Sequence, residues 1–127
     1  MIELQLPYPP AGTTGNHAVK HGKNGSYLTE AATRYRQAVA YAVALAGARR
    51  RFEGPLAVEW VLSPPDSRAR DTDNVRKSLA DALTKAGLWA DDSNRVIRRE
   101  VFDWTEPVQG GSVLLRIFAL TDEKVAV

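Results

Sequence analysis

The 127-residue chain predicts an α/β (α+β) fold: one compact domain over residues 1–127, in the order β-α-β-α-β-β, with a mixed sheet and two main helices. Three observations carry this. Short runs alternate or stay apolar with strand character, two longer runs repeat apolar residues every three to four positions, and Gly or Pro separates each from the next.

Ile2, Leu4 and Leu6 alternate with Glu3 and Gln5, as in a half-buried strand, and Pro7 to Pro10 close it. Residues 11–27 hold four glycines, two histidines and two lysines without apolar period, and read as a long, mobile basic loop. Thr29 is an N-cap, and Ala32, Tyr35, Val39, Val43 and Ala46 mark an amphipathic helix to about Arg49. Gly54-Pro55 breaks the chain before a strand over Leu56–Leu62, which Pro64 and Pro65 end. Val75, Leu79, Ala82, Leu83 and Ala86 then form one stripe of a helix over 74–86, with Gly87 as its C-terminal cap. Residues 95–102 and 112–120 read as two strands of an antiparallel hairpin, and a right-handed crossover is expected between early strands. The tail from 121 to 127 reads as frayed.

Composition narrows the function classes. The length supports one modest core. Without cysteine there is no disulfide, thiolate metal site or cysteine nucleophile, so any metal is held by oxygen or imidazole. No apolar run approaches the roughly 20 residues of a membrane span, and the N-terminus has no basic-then-apolar leader pattern, so a soluble cytoplasmic protein is expected. Net charge is +2, but unevenly spread: residues 1–52 carry seven bases against two acids, 53–99 eight against eight, and 100–127 two against five. In the middle third Arg68, Arg70, Arg76 and Lys77 bracket Asp71 and Asp73. Such bases suit a polyanion and such acids a cation.

The stretch from Arg68 to Asp92 concentrates the chemistry. With Asp73 at 0° on the helix, Lys77 lies at about 40° and Asp81 at about 80°, while the apolar stripe centres near 220°. Asp73 and Lys77 therefore face away from the core. Asp71 and Asp73 sit where free amides and the helix dipole favour negative charge, and two carboxylates about 5 Å apart repel by roughly 3 kcal/mol at an effective dielectric near 20, a tension a divalent cation relieves. Taken singly, Asp73 is an N-cap, Asp71 a loop residue and Lys77 a solvated lysine. Together with the arginine-rich loop and Asp91-Asp92 they suit a magnesium-dependent phosphodiesterase site.

This segment closely resembles the RusA family of Holliday-junction resolvases, whose hallmark is D-x-D-N-x-x-K, then D-A-L, then an Asp-Asp pair after a G-hydrophobic-W turn. Here these stand as Asp71-Thr72-Asp73-Asn74-Val75-Arg76-Lys77, Asp81-Ala82-Leu83, Gly87-Leu88-Trp89 and Asp91-Asp92. The close match covers about 64–103, and a looser one the whole length, including the opening strand with its Pro-x-Pro-Pro and the Asn16-containing loop. The resemblance implies an Mg²⁺-dependent endodeoxyribonuclease, with Mn²⁺ as a substitute, that acts as a homodimer on four-way junction DNA in recombination and repair and cuts two strands symmetrically. It implies Asp71, Asp73 and Asp92 as metal ligands and, with Lys77, as the catalytic set; register favours Asp92 over Asp91. The expected DNA contacts are Asn16, Lys20, Lys23, Arg68, Arg70, Asn74 and Arg76.

Chain length adds a constraint. The 74–86 helix rises about 19 Å and the five steps from Gly87 to Asp92 span at most about 17 Å, so Asp92 rejoins Asp71 only by a nearly direct return, or else serves a partner subunit's site. His17 and His21 read as loop residues able to contact DNA, and Arg49–Arg51 as a DNA-facing run or a complement to a helix dipole. Trp60, Trp89 and Trp104 read as core anchors, and Asp81 as the ion partner of Lys77 or Lys85. The alternatives are a metal-dependent nuclease for other branched DNA or RNA, and a non-catalytic nucleic-acid-binding protein on the same scaffold, against which the intact Asp71, Asp73, Lys77 and Asp92 argue.

Overall fold

The computed structural model describes residues 1–11, 13, 19–22 and 25–120. The strands are β1 (Ile2–Leu6), β2 (Val19–Gly22), β3 (Gly25–Leu28), β4 (Leu56–Ser63), β5 (Ile97–Trp104) and β6 (Ser112–Ala119), and the helices α1 (Glu30–Leu45) and α2 (Thr72–Ala86). Four strands form a mixed sheet in the order β1-β6-β4-β5. β6 is antiparallel to both β1 and β4, and β5 is parallel to β4. The α+β fold and the two main helices are as the sequence predicts.

β4 is central because it is nearly all apolar. Leu56, Ala57, Val58, Trp60 and Leu62 are buried, as in a strand covered on both faces. Its position overturns the expected hairpin: β5 and β6 are not partners, because β4 lies between them. Spanning two inter-strand gaps takes about 10 Å, more than a tight turn reaches. The connection after Trp104 instead passes over the end of β4, where the Thr105 and Val108 amides donate to the carbonyls of Leu62 and Pro64. The expected early crossover also moves. β1 and β4 have β6 between them, so the neighbouring parallel pair is β4 and β5, joined through α2.

Part of the expected 11–27 loop is paired. β2 and β3 form a separate two-stranded antiparallel sheet, with Val19 opposite Leu28 and Lys20 opposite Tyr27. Helix α1 begins as expected, with Thr29 Oγ1 accepting from the Ala32 amide, but ends at Leu45 rather than Arg49. Gly47, at φ 66°, turns the chain, and the Ala48 amide donates to Val43 O. The run Arg49–Arg51 is thereby released from the helix. The Arg51 amide donates to Gly87 O, which sets this run at the C-terminal end of α2, the end opposite Asp71.

The core lies between the sheet's inner face and the helices. Register aligns Leu4, Leu115, Trp60 and Phe102 in one row across β1, β6, β4 and β5, and Ile2, Ile117, Val58 and Glu100 in the adjoining row. The buried α2 residues include Val75, Leu79, Ala82, Leu83 and Ala86, all five of the sequence-read stripe. Trp60 and Trp89 are fully buried and meet edge to face at 6.2 Å, whereas Trp104, expected in the core, is 37% exposed at the end of edge strand β5. On the opposite face of the sheet Arg116 pairs with Glu3 at 2.9 Å and reaches Glu59 at 3.9 Å.

α1 is tied to the end of β1 by the buried Tyr35 hydroxyl, which donates to Pro7 O at 2.7 Å. Burial, aided by the nearby Tyr8, pushes the Tyr35 pKa far above its ordinary value. A phenol pKa raised by folding stabilises the native state fully below the unfolded value near 10, and that stability is lost as pH rises beyond it. Tyr35→Phe is therefore expected to cost about 1–2 kcal/mol at neutral pH by stranding the Pro7 carbonyl, and to flatten the loss of stability above pH ~10. Urea denaturation at pH 8 and at pH ~10.5 checks both effects. An unchanged alkaline slope would assign that loss to other groups.

Candidate active site

α2 starts at Asp71. Its Oδ1 accepts from the amides of Asp73 at 2.9 Å and Asn74 at 3.3 Å, which satisfies two of the helix's orphan donors beside the positive end of the dipole. The cap is therefore Asp71, not Asp73, and the helix begins two residues earlier than expected, at Thr72. Asp73 stands exposed in the first turn. Among the described residues neither aspartate makes an ion pair, and neither Asp71 Oδ2 nor the Asp73 carboxylate accepts a hydrogen bond.

The bases around them are committed to other acids. Asp66, which the sequence reading passed over, accepts Arg68 Nη2 at 2.9 Å and Arg70 Nη2 at 2.8 Å. The Arg68 hydrogen bonds, followed by that of Arg70, hold the Asp66 carboxyl far below the usual carboxylate range. Arg70 also donates Nη1 to the carbonyls of Asp66 and Arg68 and lies over the Tyr8 ring at 5.8 Å, so it is a clip that shapes the loop. Arg68 is the more available cation, with a side chain 79% exposed. A surface pocket of about 360 Å³ opens here, lined in part by Tyr8, Pro10, Pro65, Arg68, Asp71 and Asn74.

On the other flank Lys77 is exposed and lies 3.6 Å from Asp81, which Arg36 of α1 also approaches at 3.9 Å. Asp81 thus has the structural role expected of it. An exposed pair of this kind contributes about 0–1 kcal/mol, so the lysine is easily recruited elsewhere. Ser78 Oγ donates to Thr13 O, which ties the chain leading to β2 against α2, and Val19 of β2 lines a cavity with Lys77 and Asp81. Lys20 is exposed on β2, whereas Asn16, His17 and Lys23 lie outside the described residues.

After α2 the chain reverses at Gly87, whose φ of 84° favours glycine. The reversal is sewn down by Phe52 N to Leu88 O and Ala90 N to Phe52 O, while Trp89 Nε1 donates to Thr84 Oγ1 at 2.8 Å. This direct return puts Asp92 Oδ2 3.2 Å from Arg76 Nη1 of the same helix. The constraint set by chain length is met within one chain at least as far as Arg76. The two adjacent aspartates separate: Asp91 accepts the Ser93 amide at 2.7 Å, whose hydrogen bonds lower its pKa, while Asp92 joins Arg76.

Arg76, expected to contact DNA, is instead three-quarters buried and held inside the fold. Its Nε and Nη2 donate to Glu100 at 3.1 and 3.0 Å, and Glu100 Oε2 also accepts the Trp60 indole N–H at 2.9 Å. Burial is the largest influence on Arg76 and pushes its pKa down, but Glu100 and then Asp92 more than offset it, so the pKa is raised. Glu100 was missed from the sequence. Its signal was spacing: Glu100, Phe102 and Trp104 alternate onto the inner face of β5, and an acid on an apolar face demands a partner. Beyond it, Trp104 Nε1 donates to Thr72 Oγ1 at 3.1 Å, at the rim of the Asp71 cap.

As oxygen donors the aspartates fit a hard divalent cation, since Asp71 and Asp73 keep oxygens without protein partners at an exposed helix start. In spacing, no group of three or more His, Asp or Glu among the described residues stands close enough to hold a metal ion. The first two carboxylates share a turn, and Asp92 approaches along the Arg76 side of the helix.

A sheet-backed helix that offers unpaired carboxylates, a lysine one turn on and flanking arginines defines a phosphodiester-type site, and the comparisons give it a family. The family model for Endodeoxyribonuclease RusA matches residues 7–112. The crossover junction endodeoxyribonuclease RusA of Escherichia coli (strain K12) is 33% identical over 121 residues, covering 94% of this chain and 96% of the relative, and that of Enterobacteria phage 82 is 32% identical with the same coverage. The chain belongs to the RusA family of endodeoxyribonucleases.

Because Asp71 is both cap and candidate ligand, its two roles separate by substitution. Asp71→Asn keeps a side-chain acceptor and is expected to leave stability within about 0.5 kcal/mol, whereas Asp71→Ala costs about 0.5–2 kcal/mol. Guanidinium denaturation of the two variants checks this, and equal losses would show that the cap contributes nothing.

Proposed function

We propose that this protein is an Mg²⁺-dependent, structure-specific endonuclease that resolves four-way DNA junctions by paired symmetric phosphodiester hydrolysis in recombination and repair, working as a homodimer in the cytoplasm. The observation that carries the reading is the unpaired Asp71 and Asp73 at the start of α2, surrounded by bases that are each matched to a different acid. The relatives' name, crossover junction endodeoxyribonuclease, supports the substrate. Among the described residues no helix is long and apolar enough to cross a membrane.

Asp71, Asp73 and Asp92 would hold the Mg²⁺, with Mn²⁺ as a substitute. When bound, the cation supplies charge to a phosphate oxygen and lowers the pKa of a coordinated water. Lys77 stabilises the negative charge that develops on the phosphorane oxygens, a role that costs it only a weak pair with Asp81. Arg68 and Asn74 stand beside Asp71 on the pocket wall and bind the backbone phosphates next to the cut, with Lys20, Lys23 and Asn16 on the β2–β3 side. Arg70 orders this wall rather than leading the contacts. A two-fold enzyme supplies two such sites to the two symmetric strands of a junction.

Asp73→Asn, at an exposed position outside the cap, is expected to lower junction cleavage by more than about 100-fold while junction binding in EDTA stays as in the unmodified protein. Incubation with a four-way junction, a fork and a linear duplex, with Mg²⁺ or EDTA, is expected to give paired nicks in the junction alone and only with Mg²⁺. Retained Mg²⁺-dependent cleavage by a clean Asp73→Asn preparation would sink the assignment. Equal cutting of the fork would widen the substrate to branched DNA.

With Asp92 beside its own α2, each subunit carries its own carboxylates. Mixed dimers of Asp71→Asn and Asp92→Asn chains are therefore expected to show no recovered cleavage. Recovery on mixing would show that Asp92 serves the partner's site.

A further inference from the structure

Asp92 stands on a loop, and what holds it there is a chain of contacts from the core. Trp60, fully buried on β4, donates its indole N–H to Glu100 at 2.9 Å. Glu100 takes Nε and Nη2 of Arg76 in a two-pronged pair at 3.1 and 3.0 Å, and Arg76 spends its remaining nitrogen, Nη1, on Asp92 Oδ2 at 3.2 Å. Arg76 is the only hydrogen-bond or ion partner of the Asp92 side chain among the described residues, and Asp92 Oδ1 accepts nothing. The inner-face register sets the chain's origin, because Glu100 lies opposite Val58 and projects among apolar residues toward α2.

The charge count gives this arrangement a purpose. One guanidinium against two carboxylates leaves the trio net negative, so Arg76 can orient Asp92 without cancelling its charge. Paired with Asp92 alone, the same arginine would neutralise it. The geometry is also specific to arginine: all three guanidinium nitrogens are used in three directions, which a single ammonium cannot copy. Groups that orient a ligand are typically worth 10–100-fold in metal affinity.

We propose that Arg76 and Glu100 are positioning residues for the cation site. Arg76 holds the Asp92 carboxylate against α2, and Glu100 acts as the counter-charge that leaves Asp92 able to attract a cation. This rests on the reading of Asp92 as a cation ligand, and takes Arg76 out of the DNA-contacting set.

The test is Mn²⁺ binding by the full chain without DNA, read by electron paramagnetic resonance, alongside junction affinity in EDTA. Glu100→Gln and Arg76→Lys are each expected to weaken Mn²⁺ binding about tenfold or more, with junction affinity in EDTA unchanged and cooperative unfolding retained. Adding Arg76→Met to Glu100→Gln removes the unopposed cation as well and is expected to recover part of the loss. If either single variant fails to fold, the other decides by the same readout. If Asp92→Asn loses Mn²⁺ binding while Glu100→Gln and Arg76→Lys keep wild-type affinity, the positioning role is overturned and the ligand assignment stands. If Asp92→Asn itself binds Mn²⁺ as wild type, the ligand assignment falls and takes the proposal with it. A lowered junction affinity in EDTA with intact Mn²⁺ binding would make Arg76 a DNA contact instead.

Discussion

The packing of α2 on the inner face of β4 and β5 is the constraint from which the rest follows. A helix turns 100° per residue, so once Val75, Leu79, Ala82, Leu83 and Ala86 are buried, the directions of all its other residues are set. Asp73 and Lys77 fall on the water side and Arg76 falls on the border. Thr72 meets Trp104 and Arg76 meets Glu100, two contacts four residues apart on both elements, which aligns the helix start with the end of the edge strand. The candidate site is thus an outer surface whose geometry is dictated by a hydrophobic contact.

Around that surface charge is sorted rather than merely abundant. Arg68 and Arg70 close on Asp66, Lys77 and Arg36 on Asp81, and Arg76 on Glu100 and Asp92. Each pairing removes a base that would otherwise neutralise Asp71 or Asp73. The exposed pairs contribute little to stability, but they decide which carboxylates remain electrostatically unsatisfied. Arg76 differs because it is half-buried: desolvated charge there must be matched, and Glu100 supplies the match through two parallel bonds.

A motif read along the chain and a site built in space are therefore different objects. Asp71-x-Asp73 and Lys77 are local, within two turns of one helix, and their relation follows from helical phase. Asp92 is not local: it depends on the αL turn at Gly87, on Trp89 folding back to Thr84, and on the backbone pairing of Phe52 with Leu88 and Ala90. The arginines divide in the same way. Arg68, Arg70 and Arg76 look alike in the sequence, yet one is exposed, one clips a loop and one spans two acids.

By itself the sequence determined the α+β class, the buried stripe of α2, the Thr29 cap, the first strand and the outward face carrying Asp73 and Lys77. All of these are set by interactions within a few residues, which periodicity and capping chemistry record. Only the tertiary structure decided the partner of each strand, the start of α2 at Asp71, the exposure of Trp104 and the role of Glu100. Strand pairing and buried ion pairs join residues distant in the chain, here Trp60 to Glu100 and Arg76 to Asp92, and period-2 or period-3.6 patterns say which face a residue takes without saying what it will meet there.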